Sequence, residues 1–307
     1  MVNPATAPDT KSMHTPDADT NTDVIPTRYR RVADTAFFRI VKRLPPTAKV
    51  GATILALWVL ILLTIQFWPL ADPLKMVGRR LQPPSSEFWL GTDALGRDVF
   101  ARTLHGAVWS IPIAMVVVAC AVAIGSALGA IAGFFGGWWD SIIMRLVDVT
   151  VSFPPILLAM AVAAMLGPGL ANASIAMVIV WWPIYARLMR AQVLEKKESE
   201  HVEAAIAGGA GSFRVLGVHI LPLCWAPTLI NATMDFGQVV LLAASLSFIG
   251  LGATPPAPEW GSMISEGATR FYSWWIAFGP GMAILSVVLA TSFLGDGLRD
   301  VFDRRSQ

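Results

Sequence analysis

Long apolar runs alternate with shorter polar stretches along the 307 residues of this chain. A helix needs about 20 predominantly apolar residues to cross the hydrocarbon core of a bilayer. The runs that reach or approach this length are 50–70, 109–135, 150–167, 172–189, 223–251 and 275–294. The run at 223–251 is longer than one crossing requires, which predicts tilt or a short extra turn. The pattern therefore predicts an all-α polytopic membrane protein with about six transmembrane helices.

Composition supports a membrane location. Hydrophobic residues make up 55% of the chain, charged residues make up 14%, and the mean hydropathy is +0.59. A soluble domain carries about 25% charged residues, so this chain has too little charge to cover a water-facing surface. The net charge of +2 is too small to indicate a nucleic-acid partner. Cys120 and Cys224 lack the spacing of a metal site, and nothing suggests a disulfide.

Basic residues predict the orientation of the chain. Residues 1–27 are rich in Pro, Thr, Asp and Ala, which is typical of a disordered segment. The basic side chains in front of the first run are Arg28, Arg30, Arg31, Arg39, Lys42, Arg43 and Lys49. Because cytoplasmic loops are enriched in Lys and Arg, the N-terminus is expected in the cytoplasm. An even number of spans returns the C-terminal tail, with Arg304 and Arg305, to the same side.

The same pattern divides the chain into four regions. They are a disordered basic cytoplasmic tail (1–45), a first transmembrane helix with its outer loop (46–104), a membrane core (105–300) and a second cytoplasmic tail (301–307). The polar segment 187–222 is expected in the cytoplasm. The segments 71–108 and 252–274 are expected outside.

Small residues and prolines within the core predict helix contacts. Glycines that recur at four-residue steps allow helices to approach closely in lipid, and we expect this packing to be within the chain. These glycines are Gly125, Gly129, Gly133 and Gly137. Pro154 and Pro155 are expected to cap or kink a helix. Arg145 and Asp148, three residues apart, are expected to pair with each other.

The polar segment 187–222 has the pattern of a docking surface. Residues 192–207 predict a helix that presents Glu203 beside Ala204 and Ala205, and the glycines up to Gly211 predict its end. Ser212 is expected to be the N-cap of a second short helix. Small side chains permit close contact in a partner's groove, and a carboxylate can pair with an arginine across the interface. The alternative is an ordinary loop between spans that carries a solvated amphipathic helix.

The complete spacing of this segment resembles the cytoplasmic signature of binding-protein-dependent ABC transporter permeases. That signature runs Glu-Ala-Ala, three residues, Gly, nine residues, and then Ile-x-Leu-Pro; His219 here replaces the isoleucine. The resemblance implies that 190–222 is a coupling segment that seats in a cleft of an ATPase subunit. The residues that it assigns to this interface are Glu203, Ala204, Ala205, Gly209, Leu221 and Pro222.

A second resemblance narrows the subfamily. The segment from Gly91 to Asp98 is similar to the outer-loop signature of dipeptide, oligopeptide and nickel permeases, and is typical of the second of their two membrane subunits. Further matching segments are Ser245 to Gly252, Trp260-Gly261 and Gly295 to Asp300. The likeness covers roughly Leu90 to Asp303. It implies the transmembrane domain of a type I ABC importer.

The outer motif also carries a charged pair. Asp93 and Arg97 are one helical turn apart, so we expect them to support each other in a short surface helix. With Asp98, they are candidates for an outer-face element that meets a solute-binding protein or a partner permease. The alternative, a self-contained folded loop, is equally compatible with the residues.

Asp235 is the one carboxylate that falls near the centre of a run. It lies about 12 residues into the fifth run, roughly 18 Å along a helix, and a charge at that depth rarely faces lipid. Asn231 and Gln238 lie on neighbouring helical positions. We therefore expect a polar stripe that lines a translocation path and accepts a cationic group such as a peptide amino terminus. The alternative is a hydrogen-bonded contact with another helix or subunit.

The energy source and the partners follow from an absence and from the resemblance. No lysine follows a glycine, so the chain has no P-loop, and ATP and Mg are expected on separate ATPase subunits. The chain is not expected to be an enzyme or to hold a cofactor. The resemblance implies a homologous permease partner, two ATPase subunits or domains, and an extracytoplasmic solute-binding protein, assembled in the cytoplasmic membrane.

The resemblance also limits the substrate. It implies import of di- or oligopeptides, with nickel, glutathione or haem as alternatives within the subfamily. Two other classes compete. A membrane-embedded enzyme lacks mid-span histidines and a second central carboxylate, which acid–base chemistry usually needs. A proton-coupled secondary transporter would use Asp235 as its proton carrier.

Overall fold

The computed structural model describes residues 44–67 and 72–303. Its helices are α1 (Pro46–Thr64), α2 (Val99–Phe135), α3 (Gly137–Val151), α4 (Pro155–Leu166), α5 (Leu170–Lys197), α6 (Glu200–Ala207), α7 (Ser212–Arg214), α8 (Leu221–Phe248), α9 (Trp260–Ala268) and α10 (Trp275–Asp303). A 3₁₀ turn, Ile65–Phe67, follows α1, and a π-helical turn, Val215–Ile220, joins α7 to α8. Within the described ranges, the fold is helical and contains one isolated β-bridge, between Thr92 and Asp98. The expected tail of residues 1–45 lies almost wholly outside these ranges, as do residues 304–307.

Four helical stretches in the described ranges are long and apolar enough to cross a membrane: α1, α2, the continuous stretch from α7 through α8, and α10. The pair α3 and α4 makes a fifth if it counts as one bent span. The predicted span 172–189 lies in α5, which is 28 residues, or about 42 Å, long. α5 is long enough to cross a membrane but is not apolar enough, because polar and charged residues such as Asn172, Arg187 and Arg190 interrupt its apolar residues. The structure therefore supports four to five spans by these criteria, where the sequence predicts about six.

The break between α3 and α4 explains why the predicted third span is irregular. Pro155 is the first residue of α4, a position where the missing N–H costs nothing, and the two helices meet at 92°. The sequence predicts a span at 150–167, whereas the structure places an additional helix, α3, in front of it. This helix alternates apolar and charged residues, so hydrophobicity alone does not reveal it.

Glycines of α2 allow close contact with α5. A Cβ atom on Gly125 would come within 2.3 Å of the Trp182 carbonyl oxygen, and one on Gly129 would come equally close to the Ala186 oxygen. Gly133 faces α5 one turn further on. The expectation of packing within the chain is confirmed for these three glycines. It is wrong for Gly137, which begins α3 with φ +54° and has no atom close to its Cβ position.

The main core lies among α2, α5, α8 and α10. Trp58 of α1 and Trp260 of α9 close it, with ring centroids 5.2 Å apart. The Trp58 indole N–H also donates a hydrogen bond to Ser286 of α10, at 2.9 Å. These contacts join the first helix to the membrane core. The protein is thus an all-helical, polytopic membrane protein.

Candidate functional site

The segment 187–222, which is predicted to be cytoplasmic, contains the end of α5. The sequence predicts one helix over 192–207, but the helix stops at Lys197 and α6 begins at Glu200. Ser199 occupies the cap position, and its hydroxyl donates to the Lys196 carbonyl instead of capping α6. The interruption at Glu198 and Ser199 separates α6 from α5, so the prediction of a single helix is wrong.

One buried side chain fastens α6 to the membrane core. Val202 is fully buried in a cluster that also contains Met189 and Val193 of α5, together with Ile220 and Cys224 further along the chain. The cluster joins the ends of α2, α5 and α8 below the main core. A short helix that packs through a single residue keeps the rest of its surface available.

The opposite side of α6 is exposed. Glu203 is exposed, and its carboxylate has no hydrogen bond or ion pair with any residue of the described ranges. Ala204 is exposed and Ala205 is half-buried. Large apolar side chains stand nearby in the segment: Ile206 is 54% exposed and Phe213 is 81% exposed. A carboxylate among minimal and apolar side chains can be contacted at backbone distance by another protein.

Gly209 ends α6 with a reversal of the chain. Its φ of +83° lies in the left-handed region that favours glycine, and the N–H of Ala210 donates to the Ala205 carbonyl. The predicted glycine break is therefore confirmed. Ser212, predicted to be an N-cap, is instead the first residue of α7, with Gly211 at the cap position.

The second half of the segment runs without a break into the membrane. α7, the π-helical turn and α8 form one continuous helical stretch, and Leu221-Pro222 opens α8. Leu216 and Ile220 are buried against the cluster around Val202. π-Helical turns are rare and frequently occur at functional sites. A displacement of α6 would therefore act directly on the start of α8.

Asp235 lies halfway along α8, as the sequence predicts. The Tyr185 hydroxyl of α5 donates to one of its carboxylate oxygens at 2.8 Å, and Asp235 itself is half-buried. Gln238 is exposed one turn further, and the Asn231 amide donates to the Pro227 carbonyl. The three predicted residues thus share one face of α8, with Asp235 held by its neighbour helix and Gln238 open.

The outer motif is folded inward. Asp93 is 1% exposed; one of its oxygens accepts hydrogen bonds from the backbone N–H groups of Leu95 and Arg97, and the other accepts from the Arg97 guanidinium at 2.5 Å. Arg102, 3% exposed, lies 3.3 Å from the same carboxylate as an ion pair without hydrogen-bond alignment. Glu266 of α9 lies 3.6 Å from Arg97.

The predicted pair of Asp93 and Arg97 is confirmed, but its setting is not. The two residues lie in a tight loop in front of α2 and are buried, whereas the sequence predicts a short surface helix. Asp98 is the N-cap of α2 and accepts a hydrogen bond from the Phe100 N–H at 2.8 Å. The carboxylates of this motif therefore satisfy groups of their own chain.

Glu259 is a buried carboxylate that was not predicted from the sequence. It caps α9 by accepting hydrogen bonds from the backbone N–H groups of Gly261 and Ser262, and Ser110 of α2 donates to it at 3.3 Å. Burial raises the pKa of the Glu259 carboxyl above its usual value. Its position directly before the Trp260-Gly261 motif, where a helix begins, could have predicted that Glu259 is an N-cap.

Ion pairs between α3 and α5 differ from the predicted one. The Arg190 guanidinium donates to both oxygens of Asp140, at 2.5 and 2.7 Å, and Arg187 donates to Asp148 at 2.7 Å. The expected pair of Arg145 with Asp148 is therefore wrong. Asp148 turns towards α5, because the arginines of that helix lie beside this side of α3.

Comparisons with known proteins give the chain its family. Residues 125–307, more than half of the chain, match the family described as the binding-protein-dependent transport system inner membrane component. The dipeptide transport system permease protein DppC of Alkalihalophilus pseudofirmus is 44% identical over 263 residues, which cover 83% of this chain and 85% of the relative.

Two further relatives extend the comparison. The probable D,D-dipeptide transport system permease protein DdpC of Escherichia coli is 41% identical, over 85% of this chain and 88% of its own length. The glutathione transport system permease protein GsiD of Pectobacterium atrosepticum is 42% identical, over 80% and 84%. The chain belongs to the family of inner-membrane components of binding-protein-dependent transport systems.

Proposed function

We propose that this chain is one permease subunit of an ATP-driven importer of di- or oligopeptides. It pairs with a homologous permease to enclose a pathway, binds two ATPase subunits or domains on its cytoplasmic side, and receives solute from an extracytoplasmic binding protein. Both termini lie in the cytoplasm. ATP and Mg bind to the ATPase chains, and this chain itself breaks no bond.

The observation that carries the proposal is the exposed face of α6. Glu203, Ala204 and Ala205 stand on a short helix anchored through Val202, and Glu203 has no partner in the described part of the chain. An ATPase groove that supplies an arginine would neutralise this carboxylate. Gly209 and Leu221-Pro222 hold the helix and join it to α8.

The same connection gives a mechanism. Closure of the ATPases displaces α6, and the π-helical turn passes this displacement to α8. The helix bundle then rocks against its partner and alternates between inward- and outward-facing states. Coupling requires only that α6 and the start of α8 move together, which their shared buried cluster supports.

A pair of variants tests the interface. We expect Glu203→Arg, and separately Ala205→Trp, to leave the chain in the membrane but to abolish co-purification of the ATPase subunits and ATP-dependent uptake. Charge reversal replaces an attraction with a repulsion, and the indole fills the space that close contact needs. The measurement is the yield of ATPase per permease after purification, together with uptake in vesicles.

Glu87→Arg is the matched control for charge reversal, because Glu87 is exposed in the outer loop. It should retain the ATPase. Normal ATPase binding and uptake in both α6 variants would refute the interface. Uptake that follows the proton gradient, and persists when ATP is removed, would instead support a secondary transporter.

The polar face of α8 is our proposed contribution to the translocation path. Asp235, Asn231 and Gln238 share that face, and Gln238 is exposed. The Tyr185 hydroxyl donates a hydrogen bond to one carboxylate oxygen of Asp235, which fixes the orientation of the group. The names of the relatives refer to dipeptide, D,D-dipeptide and glutathione transport. Such peptides carry amino groups, which a central carboxylate attracts.

We expect Asp235→Asn to slow uptake of a dipeptide with a free amino terminus by about tenfold, the equivalent of ~1.4 kcal/mol. Uptake of the same dipeptide with an acetylated amino terminus should change less. Thr233→Val, which alters an exposed group on another face of α8, is the control. Equal uptake of both peptides by wild type and Asp235→Asn would remove Asp235 from the path.

A further inference from the structure

The helix α3 has two faces of opposite character. On one face, Ile143 and Val147 are buried, and Asp140 pairs with Arg190 of α5. On the other, apolar side chains are exposed around a single charge: Trp138 is 69% exposed, Ile142 is 39% exposed and Val149 is 56% exposed. Arg145 is exposed and falls between them at helical spacing. We call the side formed by these four residues the arginine face.

Arg145 is the one charged side chain of α3 that has no counter-charge among the described residues. The two carboxylates of the helix, Asp140 and Asp148, are both engaged by arginines of α5. Within the described residues, the Arg145 guanidinium has no hydrogen bond or ion pair, although the sequence places Asp148 one turn away. A guanidinium among exposed apolar groups in a membrane protein is stabilised by an anion, and no described carboxylate pairs with this one.

The direction of α3 indicates which anion is available. α4 contains no charged residue and joins α3 at 92°. If α4 points along the membrane normal, α3, which meets it at 92°, runs along the membrane surface, as interfacial amphipathic helices do. The exposed Trp138 and Trp139 at the start of α3 are the residue type that concentrates at the membrane–water interface.

We propose that the arginine face lies in the membrane–water interface and that Arg145 binds the phosphate of an anionic phospholipid. Trp138, Ile142 and Val149 insert between the acyl chains beside it. The planar guanidinium can donate two parallel hydrogen bonds to phosphate oxygens, which a lysine cannot do. This site is separate from α6 and the polar face of α8, so it stands whether or not the proposed function is correct.

The test uses the full-length chain, purified with its co-expressed partner subunits and inserted into nanodiscs. One set of discs contains phosphatidylcholine alone, and the other contains phosphatidylcholine with one quarter phosphatidylglycerol. Native mass spectrometry counts the lipids retained. We expect wild type to retain phosphatidylglycerol in preference, and Arg145→Gln to reduce this retention by about fivefold, as expected for one interfacial basic residue.

Two variants separate a lipid site from other effects. Arg145→Lys keeps the charge and should keep most of the retention. Arg80→Gln removes an exposed arginine of the outer loop and should change nothing. Size-exclusion profiles identify any variant that fails to fold, and in that case the preference of wild type for phosphatidylglycerol still decides.

Two results would overturn the proposal. The first is equal retention of both lipids by wild type. The second is unchanged lipid retention in a folded Arg145→Gln; if this variant also loses the partner permease, the counter-charge is assigned to a carboxylate of that subunit.

Discussion

The segment 71–108, which is predicted to lie outside, and the segment 187–222, which is predicted to lie in the cytoplasm, each carry a motif carboxylate. The structure uses the two carboxylates in opposite ways. Asp93 is 1% exposed and is shared by Arg97 and Arg102. Glu203 is exposed, without a partner in the described ranges. The first carboxylate is neutralised by its own chain, whereas the side chain of the second has no partner among the described residues. Two carboxylates of sequence motifs can therefore differ in role, and their burial and side-chain partners distinguish them.

The energetic reason is desolvation. A buried charge that loses its counter-charge costs several kcal/mol, because the remaining ion cannot return to water. An exposed charge stays hydrated and costs little when its partner is absent. The buried charges of Asp93, Arg97 and Arg102 must therefore be neutralised within the chain. The exposed Glu203 carboxylate is stable without a partner and is compatible with one that binds reversibly.

The largest expected effect comes from breaking the outer cluster. Asp93→Ala leaves Arg97 and Arg102 buried without their shared carboxylate, so we expect a loss of about 3–5 kcal/mol in the free energy of unfolding. Unfolding by titration with sodium dodecyl sulfate in mixed micelles measures this loss.

Asp148→Ala is the matched control on an exposed pair. The side chains of Arg187 and Asp148 are 50% and 68% exposed, so the expected cost is about 1 kcal/mol or less. If the two alanine variants lost the same stability, the contrast between buried and exposed charges would fail.

A smaller effect should follow from glycine substitutions in the same two regions. A Cβ on Gly106 of α2 would come within 2.6 Å of the Pro258 carbonyl oxygen and of the Trp260 ring, whereas one on Gly217 meets nothing within 4 Å. We expect Gly106→Ala to destabilise the protein by about 1–3 kcal/mol. Gly217→Ala should leave stability unchanged or raise it, since alanine favours helix.

The detergent titration used for Asp93→Ala also measures these variants. A destabilised Gly217→Ala would mean that the cytoplasmic segment is packed as tightly as the outer face. It would also weaken the argument that this segment is open to a partner.

Sequence patterns located most helices but not all of their limits. The predicted run 223–251 corresponds closely to α8, at Leu221–Phe248. α2 begins at Val99, ten residues before its predicted run at 109. The first turns of α2 contain Arg102, a charged residue that ends an apolar run in the sequence. The structure shows that Arg102 is buried and paired with Asp93. α3 was not predicted, because charged residues interrupt its apolar residues and leave no long apolar run.

The sequence by itself determined the membrane class, the close packing of the α2 glycines within the chain, and the order of helix, glycine break and helix in the segment 187–222. These features depend on composition and spacing over a few turns. The tertiary structure decided which charges are neutralised within the chain. Asp148 pairs with Arg187, 39 residues away, and not with Arg145 as predicted. Arg97 has a second carboxylate partner in Glu266 of α9. Such pairings depend on which helices pack together, and local spacing does not encode that choice.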